Sequence, residues 1–223
     1  MGEATSDFFV HKWSPVIAVL LAGVEFCFAL WWQLSRATYR PAPYWWCVVM
    51  VSVFGTMCAD VVHVGLHVAY LVSTIAYALA LAVIFYLWYR VEGTLSIHSI
   101  TTRQREIFYW LAITATFALG TAGGDLTAHT LHLGFFGSGV MFLAFFLVPT
   151  LWFAILRRNA IATFWSAYIL TRPLGASFAD WFGVSRAHGG LNHGPGHVSL
   201  ILTVAILLVI SVLAIRTPRV RRP

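Results

Sequence analysis

The chain has 223 residues, of which 60% are hydrophobic and only 10% charged. That balance excludes an ordinary soluble domain and points to a polytopic helical membrane protein. The net charge of +6 does not imply a nucleic-acid partner, because the arginines lie beside apolar segments and build no folded basic face.

A bilayer crossing needs roughly 20 apolar residues. Seven stretches qualify: 15–35, 43–64, 68–89, 107–131, 136–156, 160–182 and 198–215. They make one all-α transmembrane domain. The leading MGEATSDFFVHKW has no basic n-region and no small-residue cleavage site, so it is no signal peptide. Arg36 and Arg40 follow segment one, Arg90, Arg103 and Arg105 follow segment three, and Arg157 and Arg158 follow segment five. Arg216, Arg219, Arg221 and Arg222 follow segment seven, while the remaining connections hold only Lys12 and Arg186. The positive-inside rule then places the N-terminus outside and the C-terminus inside. Cys27, Cys47 and Cys58 fall within spans and serve packing.

Segment one carries Glu25 near its middle, the deepest acid in the sequence. Segment two shows Tyr44-Trp45 eleven residues before Gly55, which opens GTMCAD ending at Asp60. Segment four repeats this with Tyr109-Trp110 and GTAGGD ending at Asp125, and segment six with Phe164-Trp165 and GASFAD ending at Asp180. Agreement at two fixed spacings defines an internal repeat of a motif-bearing helix followed by a plain one. Segments 2–3, 4–5 and 6–7 are three parallel units. Segment one is left over, like the second helix of a unit whose first helix is missing.

The stretches YWLAITATFALGTAGGD, TLSIHSITTRQRE and FWSAYILTRPLGASFAD resemble a bacterial family of multi-pass membrane-anchored proteins with no assigned activity. The resemblance covers roughly residues 16–182 and implies a bacterial cytoplasmic-membrane location. It also implies a further N-terminal helix bearing Gly-Glu-Thr-x-x-Asp, which this chain is expected to lack. The family does not generally place histidines beside the aspartates, so His63, His67, His129 and His132 are departures.

An ionisable group at membrane depth is a functional candidate by default. Asp60, His63 and His67 fall at i, i+3 and i+7, and Asp125, His129 and His132 at i, i+4 and i+7, each set predicted to share one helical face. Asp180 is followed by VSRAHGGLNHGPGH with His188, His193 and His197. These residues compose an outward-facing site whose oxygen and nitrogen donors suit Zn2+ or Mn2+. Thr56 and Thr121 lie one turn below the first two aspartates. Arg172, beside Pro173, is too deep to stay unpaired, and Glu25 is its expected partner from another helix. The set Asp60, Asp125, Asp180, Glu25, Arg172, Thr56 and Thr121 reads as an ion pathway. The leading expectation is a small transporter for a divalent metal, protons or both. An intramembrane metal-dependent hydrolase built on His193-x-x-x-His197 and a metal- or pH-sensing protein are the alternatives. Oligomeric state is left open, a homo-oligomer included.

Overall fold

A computed structural model describes residues 1–36, 39–157 and 159–216, without the side chains of Val64 and residues 213–216. Arg158, Arg219, Arg221 and Arg222 of the topology argument lie outside the described residues, as does the side chain of Arg216. The described residues form eight α-helices: α1 Gly2–Lys12, α2 Pro15–Leu34, α3 Pro41–Asp60, α4 Tyr70–Glu92, α5 Arg103–Asp125, α6 Gly134–Leu156, α7 Ala160–Gly183 and α8 Pro195–Arg216. The protein is an all-α polytopic membrane protein. Among the described residues, six helices are long and apolar enough to cross a bilayer, namely α2, α3, α4, α5, α6 and α8. All seven expected segments appear as helices, and α1 is an eighth that the sequence reading leaves as a tail.

Local chemistry sets most of these boundaries. Proline occupies the first turn of α2 and of α3, where its missing N–H costs nothing. Gly93 ends α4 in the left-handed conformation, with its N–H on the Tyr89 carbonyl at 2.8 Å. The Thr102 side chain accepts from the Arg105 N–H at 3.3 Å and caps α5. The same Arg105 pairs with Glu92 at 2.6 Å and donates to the Ser99 carbonyl at 2.8 Å, which ties down the 91–106 connection.

The four odd-numbered helices form an inner ring and the even-numbered ones an outer layer. Burial separates them: 61% of the apolar stretch of α5 is covered, against 11% in α6 and 6% in α8. Leu79, Val83, Leu147, Val148, Leu151 and Leu208 face outwards on the even helices, as lipid contact requires. Each outer helix packs mainly on the motif helix that follows it, α2 on α3, α4 on α5 and α6 on α7, and α8 closes the cycle on α1.

The ring interlocks through its glycines. A Cβ on Gly2 would meet the Ser52 carbonyl oxygen at 2.5 Å, one on Gly55 would meet Phe117 Cβ at 2.7 Å, and one on Gly120 would fall inside the Arg172 side chain. Ser52, Phe117 and Arg172 each stand three residues before the next copy's glycine. The aromatic pairs step round in the same sense. Tyr44 packs on Trp110 with centroids 5.7 Å apart and Tyr109 on Trp165 at 6.4 Å, while the Tyr44 and Tyr109 hydroxyls bond at 2.8 Å.

Candidate functional site: a carboxylate core around Arg172

The first unit is not missing its motif. Gly2-Glu3-Ala4-Thr5-Ser6-Asp7 sits on α1 with the spacing of GTMCAD, GTAGGD and GASFAD. Glu3 in the first turn and Lys12 in the last suit the helix dipole. Gly2, Glu3, Ala4 and Ser6 are buried, so the leading segment, expected to lack a motif-bearing helix, is part of the bundle. These residues enter the bundle because the Gly2 face lies against Ser52 on α3 and Thr5 bonds Ser199 on α8 at 2.5 Å.

The second motif position is Glu3, Thr56, Thr121 and Ala176 in the four copies, and the sixth is Asp7, Asp60, Asp125 and Asp180. Four residues apart on a helix is about one turn, so the aspartates stack above the Glu/Thr/Thr/Ala layer. Ala176 leaves room for Arg172, one turn away on the same helix and only 8% exposed. Arg172 Nη2 donates to Glu3 Oε2 at 2.7 Å, to Thr121 Oγ1 at 2.7 Å, and to Thr56 Oγ1. Glu3 Oε2 also accepts from Thr121 at 3.3 Å and from Thr56 at 3.4 Å. The guanidinium lies over the Phe117 ring, 5.2 Å from its centroid.

The partner of Arg172 is therefore Glu3, not Glu25. Glu25 accepts from Trp46 Nε1 at 3.0 Å in an exposed contact between α2 and α3. Its helix belongs to the outer layer, and that removes it from the core. The ring itself decides which acid reaches Arg172, because the second position of a motif helix points to the axis.

The aspartates lie one turn further along the four motif helices. Ser6 donates to Asp60 at 3.4 Å. Asp60 and Asp180 both feel the charge of Asp125, and all three feel Glu3, Asp7 and Arg172. Five of the chain's eight acids thus converge around one arginine. Four aspartates at one level of a low-dielectric core are functional candidates, since ionisable groups at that depth are costly.

The histidines behave differently. Beyond Asp60 and Asp125 the helices widen into π turns, Val61–Gly65 and Leu126–Thr130. The chain then leaves the helix at His67 and His132, with φ of 55° and 56°. Leu66 and Val68 donate to Val61 and Val62, and Leu131 and Leu133 repeat this on Leu126 and Thr127. That turn breaks the helical phase, so the shared faces expected for Asp60/His67 and Asp125/His132 do not form, and both distal histidines are exposed. His63 is buried and bonds Ser73 Oγ at 3.2 Å. Tyr70 lies between His63 and His129, with centroids 4.4 and 5.8 Å away. His188 bonds Ser185 at 2.9 Å, and His193 lies in the turn before α8 with its carbonyl on His197 Nδ1 at 3.1 Å. Among the described residues no three His, Cys, Asp or Glu side chains group closely enough to hold a metal ion.

Repeated helix pairs around an ionisable core define a multi-pass membrane protein of internal-repeat type. The family model for the Repeat of Unknown Function (DUF347) matches residues 43–94, 108–159 and 163–218. The chain belongs to that family. The three matches coincide with α3–α4, α5–α6 and α7–α8, and α1–α2 is the fourth pair of the ring. No curated protein and no solved structure matches the chain.

The sequence reading missed Glu3, Ser6 and Asp7. The Gly-x-x-x-x-Asp spacing was there to find them, but Glu3 stands where the other copies have Thr or Ala, and α1 is too short to register as a span.

Proposed function

We propose that the protein is a small proton transporter of the bacterial cytoplasmic membrane, with the aspartates facing out and the Arg-rich C-terminal tail inside. The observation that supports this most directly is the convergence of Asp7, Asp60, Asp125 and Asp180, one from each motif helix, in the bundle core. Carboxylates within reach of one another's charge favour a shared, protonated state. The Arg172–Glu3 ion pair, one turn further in, closes the axis with hydrogen-bonded side chains, so that a proton would pass it only by transfer between acids.

A divalent metal is the rival cargo. Its donors would be the aspartate oxygens, which suit Mn2+ better than Zn2+, and they would have to draw closer, since among the described residues no three such side chains group tightly enough to hold an ion. The test is reconstitution into vesicles with an internal pH dye and an imposed potassium-diffusion potential. Wild type is expected to acidify the lumen above empty vesicles, and Asp125→Asn to return the rate to background. Arg186→Ala, on the exposed turn after α7, is expected to match wild type. Wild-type vesicles no faster than empty ones would overturn the reading. Entry of Mn2+ without proton movement, followed with a metal dye, would replace the cargo.

A further inference from the structure

At the aspartate end, α1 and the start of α8 enclose a cleft of about 550 Å3 lined by Phe8, His11, Lys12, Pro195, His197 and Leu200. It adjoins a second, apolar cavity of about 660 Å3 that also includes Phe8, Gly196 and Leu200. That cavity runs on between α1, α2, α3 and α8 past Leu21, Val49 and Thr203. The two share the Phe8–Leu200 wall, with Lys12 at the mouth of the first and mostly apolar residues, besides Glu25, along the second.

We infer that these two cavities hold an anionic phospholipid with a hydroxylated headgroup, its phosphate on Lys12 and one acyl chain along the Phe8–Leu200 wall. Charge complementarity carries the assignment. Lys12 and Arg186 are the only lysine or arginine residues in the connections at this end of the bundle, and Lys12 lies on the cleft, its ammonium 5.3 Å from the Phe8 ring centroid. A compact ammonium at headgroup level above an apolar groove matches a phosphate joined to an acyl chain. The histidines specify the rest of the headgroup. His11 Nδ1 contacts the Asp7 carbonyl at 2.7 Å, and His197 Nδ1 the His193 carbonyl at 3.1 Å. A carbonyl only accepts, so the proton sits on Nδ1 and each Nε2 is left to accept from a hydroxyl. Phosphatidylglycerol offers both the phosphate and the hydroxyls. Trp13, at the end of α1 and lining the apolar cavity, belongs to the interfacial level where that headgroup lies.

Lipid binding in this cleft is independent of transport. Native mass spectrometry of the full chain in detergent tests it, with equal amounts of phosphatidylglycerol and phosphatidylcholine added. Phosphatidylglycerol adducts are expected to dominate on wild type. Lys12→Gln is expected to reduce that preference about five- to tenfold, as loss of one charge-assisted contact does. Lys12→Arg should keep most of it, and Arg186→Gln, outside the cleft, all of it. Glycerol phosphate added in excess should not displace the lipid, since the acyl wall contributes to binding. Equal adducts of the two lipids on wild type, an unchanged preference in Lys12→Gln, or displacement by glycerol phosphate would each overturn the assignment.

Discussion

Arg172→Ala lowers the stability of the folded chain by ~3–5 kcal/mol, and Glu3→Ala does so by a comparable amount, because each leaves the other charge buried and unpaired. Arg172 and Glu3 side chains are only 8% and 7% exposed, so water cannot take over the lost contact. Loss of Arg172 also strips Thr56 and Thr121 of a donor and removes the guanidinium charge that Asp60, Asp125 and Asp180 feel. Arg186→Ala, on an exposed turn, changes stability by less than ~0.5 kcal/mol. Glu25→Gln has an effect close to that of Arg186→Ala, since its bond to Trp46 is exposed. The double variant Glu3→Ala/Arg172→Ala should lose clearly less than the sum of the two single losses, as residues in one ion pair do. Thermal unfolding in detergent, followed by circular dichroism, measures all five. Strict additivity of the pair, or a Glu25→Gln loss as large as that of Glu3→Ala, would place the partner of Arg172 elsewhere.

Alanine at the motif glycines is expected to change sign around the ring. At Gly120 the added methyl would overlap Arg172 Cγ and Cβ and approach Pro173 Cδ at 3.1 Å. Those are the stiff base of a side chain whose far end is fixed by Glu3 and Thr121, so α5 and α7 must move apart. Gly55→Ala forces Phe117 Cβ away in the same manner. Overpacking of this kind costs about 1–3 kcal/mol, and at Gly120 it also pulls the guanidinium from Glu3. Around Gly175, among the described residues, no atom lies within 4 Å of an added Cβ. There Ala only removes the flexibility of a mid-helix glycine, which stabilises by up to ~1 kcal/mol. Melting temperatures of Gly55→Ala, Gly120→Ala and Gly175→Ala compare the three directly. A Gly175→Ala loss equal to that of Gly120→Ala would mean that the ring packs differently from the arrangement described.

These effects divide between what the linear chain carries and what its packing adds. Asp60, Asp125 and Asp180 were readable as equivalent positions because Gly-Thr/Ala-x-x-x-Asp and the aromatic pair recur at constant offsets, and constant offsets on parallel helices give equal depths. Apolar length alone made the chain a multi-pass helical protein. Thr56 and Thr121 followed from helical periodicity, one turn from an aspartate. Three things needed the tertiary structure. The partner of Arg172 is set by which helices form the inner ring, and α2 with Glu25 is excluded from it by its packing outside α3. The fate of the histidines is set by the π turns after Asp60 and Asp125, since a change in hydrogen-bond register rotates every later side chain and turns His67 and His132 outwards. The membership of α1 in the core is set by contacts with α3, α7 and α8 that are distant in sequence: eleven residues have too little apolar length to announce themselves as a membrane element, and only the cyclic packing makes Glu3 and Asp7 equivalent to residues on helices twice as long.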